Sequence, residues 1–361
     1  MYPHHISEQE FFMKSTQIKK RILRIRRMGI VLLAGASFLY GESGRLTNVG
    51  TTAAPFLEVG VGSRAIGMGG AFVAVSNDVS ALYWNPAGLC RMNQGEAVFE
   101  RIEWLADIAF NYMGVALPLR GFGTAGFFLN AMTVPHMKVR TVDFPDGTGE
   151  EYDATSYAVG LSYSFGITDR FSMGFTGKFI SERIWHENTS TMAVDIGTLY
   201  YTGFGSLRIG AAITNFGPSL QMDGSDLIIY YDADESIDGN NDRIMGKLMT
   251  DDWPLPLNMQ FGLAYDVINK QHARLTVAVD AFHPVNNTES INAGCELFLL
   301  NMLYLRAGYK AIGQKDTEEG LTLGTGLRYK MFGQSNIMVD YAYADFGRLQ
   351  HVNRFTIRLN F

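Results

Sequence analysis

Fourteen ionisable residues from position 178 onward fall on alternate positions of otherwise apolar runs. They are Lys178, Asp195, Arg208, Asp266, Arg274, Asp280, Glu296, Arg306, Lys310, Arg328, Lys330, Asp340, Arg354 and Arg358. Six of the cations, Arg306, Lys310, Arg328, Lys330, Arg354 and Arg358, lie on segments that would be neighbours, with Asp340 between them. Such a basic wall could grip an acidic group of the same chain, Asp78 for example, or draw in an anionic ligand. The simpler expectation is a network of ion pairs with Asp266, Asp280 and Glu296. Catalysis has no comparable signal. The His residues are scattered, and no nucleophile and base are placed within reach of one another, so no catalytic residue is nominated. No cofactor or metal is expected. Asp234, Ser236, Asp238 and Gly239 resemble part of a calcium loop, but Met245 occupies the twelfth position where Glu is needed, so a solvated loop is expected. Gly60-Val61-Gly62, followed by Ala65, imitates a dinucleotide fingerprint without the βαβ unit it requires.

The elements that position these charges are strands. Tyr157, Val159, Leu161, Tyr163 and Phe165 alternate with small and polar residues, as do Leu257 to Tyr265, Leu321 to Tyr329 and Ile337 to Tyr343. Strict alternation is the pattern of a strand with one apolar and one wet face. The chain closes on the same pattern, with Phe355, Ile357, Leu359 and Phe361 separated by Thr356, Arg358 and Asn360. About 14 such segments are expected, near 95–104, 106–117, 121–131, 154–166, 171–182, 190–202, 205–214, 256–268, 272–282, 289–299, 302–312, 320–331, 334–345 and 350–361. Each can cross a bilayer as a tilted strand, which takes about 9–11 residues. Gaps after even segments are short. Most gaps after odd segments are longer, and those near 132–153 and 215–255 are much longer. Short turns on one side and long loops on the other belong to an outer-membrane barrel. From the fourth segment onward the apolar face carries no ionised residue, as a lipid-facing surface requires: Lys or Arg at the midplane costs about 2–4 kcal/mol.

The fold class is therefore all-β: a transmembrane antiparallel β-barrel preceded by an N-terminal segment with short helices. Residues 1–41 read as a signal peptide. A basic run from Lys14 to Arg27 precedes an apolar stretch from Met28 to Tyr40 that is too short to span as a helix. Residues 1–12 precede the basic run, and Met13 is an alternative start. Residues 42–94 read as a separate N-terminal segment and 95–361 as the barrel. The composition agrees, with 39 Gly, 12% aromatic and 18% charged residues. The net charge of −6 argues against nucleic acid as a partner. Cys295 lies on an apolar face with Ile291, Ala293 and Leu297 and reads as a small hydrophobe rather than half of a disulfide with Cys90.

Residues 59–89 do not alternate. Their glycines suggest tight turns, and two short helical pieces are expected. Asn77 or Asp78 can cap the first, at 79–83, and Asn85 the second, with Pro86 at its first position. Within this segment, Gly67, Gly69, Gly70, Asn77, Asp78, Tyr83, Trp84, Asn85, Pro86 and Gly88 carry a resemblance to the amino-terminal signature of the PorV/PorQ family, itself similar to the FadL long-chain fatty-acid transporters. The resemblance implies a hatch that occludes the barrel lumen, formed by these ten residues. It implies an outer-membrane location and a terminal strand, Phe355 to Phe361, that serves as assembly signal. It implies, first, an accessory or receptor role in type IX-like protein secretion, with exported cargo proteins or other secretion components as partners beside the outer-membrane lipid. The alternative is a FadL-like channel for hydrophobic small molecules. A structural barrel without cargo is the third reading. The loop near 132–153 departs from FadL, being polar where FadL carries an apolar capture hairpin.

Overall fold

Alternation builds strands only if each face finds its own environment, and a closed barrel supplies both. The computed structural model describes residues 49–232, 236, 243–314, 317–331, 333 and 335–361. The expected signal peptide lies outside the described residues, as do Asp234, Asp238 and Gly239 of the calcium-like run. The strands are β1 (Glu96–Glu103), β2 (Ala109–Leu119), β3 (Gly123–Lys138), β4 (Glu151–Gly166), β5 (Phe171–Ile184), β6 (Glu187–Tyr201), β7 (Arg208–Phe216), β8 (Asp223–Gly224), β9 (Ile228–Tyr231), β10 (Ile244–Lys247), β11 (Asn258–Lys270), β12 (Ala273–Pro284), β13 (Ser290–Leu299), β14 (Leu303–Ile312), β15 (Leu321–Lys330), β16 (Asn336–Asp345) and β17 (His351–Asn360).

β1 to β7 and β11 to β17 pair antiparallel, each with its neighbour in this order, and form a closed barrel of 14 strands. The ring closes where β1 meets β17, with Glu96 opposite Asn360 and Ile102 opposite Arg354. Closure leaves no unpaired sheet edge, which the interior of a bilayer would not tolerate.

The two faces separate as the alternation requires. On β17, Phe355, Ile357 and Leu359 are 58%, 47% and 39% exposed, while Arg354, Thr356 and Arg358 are buried. Phe361 continues the outward series and also packs beside Gly95. Leu161, Phe175, Phe261, Leu305 and Leu327 project from the same outer surface. A water-exposed shell of this kind would be unstable, so it marks the lipid-facing band. Cys90 and Cys295 are both free thiols.

The connections differ from the sequence reading in three places. The polar loop near 132–153 shrinks to 139–150 because β3 and β4 run on beyond the expected ends. Pro135 does not stop them, since the ladder shifts register between Val134 and Met137 and needs no N–H there. β5 and β6 are joined by Trp185 and His186 alone, with Trp185 at φ 53°, so one of the connections expected to be long is a tight hairpin. The stretch near 215–255 is not plain loop. It holds β8, which pairs with β6, and the separate hairpin of β9 and β10.

Candidate functional site

The segment before β1 fills the lumen from one end to the other. It comprises a 3-10 turn (Pro55–Glu58), helix α1 (Ser63–Ile66), helix α2 (Ala81–Trp84) and a 3-10 helix (Pro86–Arg91). Near its start, the Ala53 amide donates to the Pro254 carbonyl at 3.0 Å, and Asn286 Nδ2 donates to Glu58 Oε1 at 3.1 Å. Both partners belong to connections at the long-loop end. Near its finish, Arg91 Nη1 donates to the Asp169 carbonyl at 2.9 Å, in the tight turn between β4 and β5. Between these points nearly every residue from Ala54 to Leu89 is buried.

No helix in this segment is long enough to satisfy its own backbone, so side chains on the barrel wall supply the missing partners. Asp280 Oδ2 on β12 accepts from the Phe72 and Val73 amides at 2.7 and 2.9 Å. Glu100 Oε2 on β1 accepts from the Gly62 amide at 2.7 Å, and Thr356 Oγ1 on β17 from the Ser63 amide at 2.8 Å. Asn85 Oδ1 caps the last 3-10 helix through the Ala87 amide at 3.1 Å, with Pro86 at its first position as expected. Asn85 Nδ2 also donates to the carbonyls of Val73 and Thr198 at 2.9 and 3.0 Å. The other helix begins later than the expected 79–83, at Ala81, with Ser80 at its N-cap position and no side-chain cap. Asp78 instead accepts from the Ser80 amide at 3.0 Å. Trp84 Nε1 and the Tyr83 hydroxyl donate to the carbonyls of Val61 and Leu57, both at 2.8 Å.

Six buried charges of alternating sign close into a ring between plug and barrel. Arg64 Nη1 meets Asp78 Oδ2 at 2.7 Å, and Asp78 Oδ2 meets Arg358 Nη1 at 2.7 Å. Arg358 Nη2 meets Asp340 at 2.8 Å, Asp340 meets Arg306 at 2.7 Å, and Arg306 meets Glu296 at 2.8 Å. Glu296 returns to Arg64 Nε at 2.8 Å. Glu96 lies 3.4 Å from Arg358. Arg64 and Asp78 belong to the plug, the other four to the wall. Burial opposes ionisation of Asp78, but the Arg358 and Arg64 guanidiniums outweigh it and hold its carboxyl below the ordinary carboxylate range.

The six expected basic-wall residues thus separate. Arg306 and Arg358 join the ring, and Arg354 donates to the Gly60 carbonyl of the plug. Lys310 pairs with Glu319 instead. Arg328 donates to the Tyr304 hydroxyl and lies over the Phe298 and Tyr304 rings, while Lys330 is exposed. Of the expected acidic partners only Glu296 reaches a wall cation, because Asp266 pairs with Arg208 and Asp280 serves plug amides.

The plug glycines face wall glycines. Gly67 packs on Gly324, while Gly69 and Gly70 turn the chain at φ 68° and 73°, values that favour glycine. A Cβ on Gly294 or Gly308 would overlap the backbone of Met68 and Gly69. Gly88 packs on Ser76 within the plug, and Asn77 accepts from Arg64. The sequence reading did not single out Arg64, Glu100 or the wall glycines. Their signals were a lone cation in a Gly-rich apolar segment, and Gly recurring on the polar side of the alternation. Among the described residues no group of three or more His, Cys, Asp and Glu side chains is set to hold a metal ion.

The chain is thus a closed 14-stranded antiparallel barrel with its own N-terminal segment, built of turns and short helices, inside it. Among solved structures, the chain is similar to the CymD monoaromatic hydrocarbon channel (TM-score 0.52, 12% identity, covering 84% of this chain and 97% of that one). It is also similar to the Pseudomonas putida toluene transporter TodX (TM-score 0.51, 12% identity, 83% and 97% covered). A third likeness is to the Ralstonia pickettii toluene transporter TbuX (TM-score 0.50, 11% identity, 83% and 97% covered). No protein-family model and no curated protein matches the chain. At these identities the likeness is one of fold, and it gives no ground for the PorV/PorQ family in particular.

Proposed function

We propose that the protein is a plugged outer-membrane channel that admits hydrophobic small molecules, the plug acting as its gate. The observation that carries this is the plug itself. It fills the lumen and packs on the wall through an apolar cluster that includes Phe72, Leu82, Trp84 and Phe128, and it is joined to the wall as well by the ring of Arg64, Asp78, Arg358, Asp340, Arg306 and Glu296. A permanent core needs only the apolar packing; buried ion pairs add little net stability but define one seated geometry, and they are contacts that water can replace when the plug moves. The proteins of similar fold are named as hydrocarbon transporters and channels, which supports the same reading. Nothing in the fold or the comparisons favours exported cargo as a partner, so the secretion-receptor reading is not carried further.

The test is uptake of radiolabelled toluene by intact Gram-negative cells that have no hydrocarbon channel of their own. Cells with the barrel in the outer membrane should take up toluene several-fold faster than cells without it. Equal uptake, with the folded barrel confirmed by a heat-modifiable gel shift, would refute the proposal.

A further inference from the structure

The outer face of β1 departs from the pattern of the wall. Ala97, Phe99, Arg101 and Glu103 point outward and alternate with the buried Val98, Glu100 and Ile102. Two of the four outward residues thus carry full charges of opposite sign. Across the ladder Arg101 stands opposite Phe355 of β17 and Asn111 of β2, and Phe99 stands opposite Ile357 and Met113. Phe99, Met113, Phe355 and Ile357 are exposed, so the charges share the lipid-facing surface with apolar side chains. Phe355 lies six residues before the terminal Phe361. A strand tilted about 40° gains ~2.6 Å of height per residue, which puts Arg101 about 16 Å above that aromatic in an apolar band about 25 Å tall. Glu103 stands about 5 Å higher. Arg101 is therefore inside the band, where lipid tails give it no partner. Among the described residues neither Arg101 nor Glu103 makes an ion pair, with the other or with a neighbour. By contrast Arg183, exposed near the end of β5, meets Asp153 of β4 at 2.6 Å.

We infer that this face joins two copies of the chain in the membrane, Arg101 of each copy meeting Glu103 of the other. Two barrels in one membrane share their orientation, so a two-fold axis relating them runs along the membrane normal and leaves every residue at its own height. Such an interface must be self-complementary, with residue i on j and j on i. Arg101 and Glu103 meet that condition. Both signs lie on one face, and their difference in height, about 5 Å, is one that a long Arg side chain spans. The two pairs would be enclosed by Phe99, Met113, Phe355 and Ile357, and charges attract strongly in surroundings of low dielectric. Apolar contact alone gives barrels little reason to associate, because lipid tails are as apolar as the side chains; polar pairs supply the preference. The Tyr341 hydroxyl, which donates to Asn353 Oδ1 at 2.7 Å, extends the polar part of the face toward β16. A lipid phosphate is the poorer occupant. Glu103 stands between Arg101 and the headgroups and repels an anion. Among the described residues no other Lys or Arg faces outward from β17, β1 or β2 to offset it. The contact is on the outer wall and does not depend on what the lumen carries.

The test is energy transfer between donor-labelled and acceptor-labelled copies of the full chain in vesicles of phosphatidylethanolamine and phosphatidylglycerol. Transfer should rise with the ratio of protein to lipid and level off at two copies. Arg101→Glu or Glu103→Arg alone should weaken association at least about tenfold, because like charges then meet. Mixing these two variants should restore pairing, since each supplies the charges that the other lacks. The double exchange Arg101→Glu, Glu103→Arg should associate within about threefold of the unsubstituted protein, because it keeps the face self-complementary. Heat-modifiable mobility confirms the barrel in each variant. Arg101→Gln, which adds no charge, serves should a reversed charge not fold, and it too should weaken association. No transfer in the unsubstituted protein, association unchanged in the folded single variants, or no recovery on mixing would overturn the inference. So would a monomer that co-purifies with a phosphorylated lipid and loses it on Arg101→Glu.

Discussion

Substituting Asn for Asp78 keeps the size and shape of the side chain and removes one charge from the ring. Arg64, Arg306 and Arg358 would then face only Glu296 and Asp340 within it. Removing one partner of a buried pair typically costs about 3–5 kcal/mol, because the other charge is stranded without solvent. Here Arg64 keeps Glu296, and Arg358 keeps Asp340 and Glu96, so the low end, about 3 kcal/mol, applies. The cost falls on the plugged state alone, since a displaced plug exposes Arg64 to water. At about 1.4 kcal/mol per decade, the plug-displaced population rises roughly a hundredfold. Single-channel recording in planar bilayers reads this as open probability, and heat-modifiable mobility confirms the barrel. The double variant Arg64→Met, Asp78→Leu separates charge stranding from simple loss of contacts. It removes both plug charges, leaving Arg306 and Arg358 balanced by Glu296 and Asp340. It should open less often than Asp78→Asn although it loses more contacts. An open probability for Asp78→Asn within threefold of the unsubstituted protein, in a folded barrel, would refute the reasoning. A double variant that opens as often as the sum of its parts would do the same.

Three further outcomes follow from the same contacts. Acid should loosen the plug. The depressed Asp78 carboxyl contributes fully above its ordinary value near 4, and this contribution is lost as pH falls below that towards its lowered value, so open probability should rise below about pH 4, and Asp78→Asn should lack that rise. Gly294→Val cannot seat the plug against Met68, and limited proteolysis with trypsin should then cut at Arg64, which the unsubstituted protein protects. Asn85→Ala loses a cap and two carbonyl contacts, so thermal unfolding of the plug should shift by an amount worth about 1–2 kcal/mol; an unchanged transition would show that the Asn-Pro element is not structural.

Arg328, one of the six cations of the expected basic wall, meets the wall rather than the plug, for a plain physical reason. Arg328 stands on the same strand and the same face as Gly324 and Gly326, and that face does reach the plug at Gly324, against Gly67. Four residues along, Arg328 meets Tyr304 and Phe298 of the wall instead of the plug. Alternation tells which face a residue takes. It does not tell the height at which a plug, folded from a distant part of the chain, will meet that face.

The barrel is legible in local patterning alone. Strand number, the inward or outward sense of each side chain and the terminal Phe355 to Phe361 pattern are local properties, set by a period of two and by the cost of charge in lipid. The cap at Asn85 with Pro86 was legible for the same reason, since it depends on residues adjacent in the chain. Which charges meet depends on how the folded chain brings distant segments together. Arg64 and Glu296 are far apart in sequence, and their pairing depends on the path of the plug and on the register of β13 against β14. The same holds for Gly294 and Gly308, whose missing side chains have meaning only once the backbone of Met68 and Gly69 lies against them.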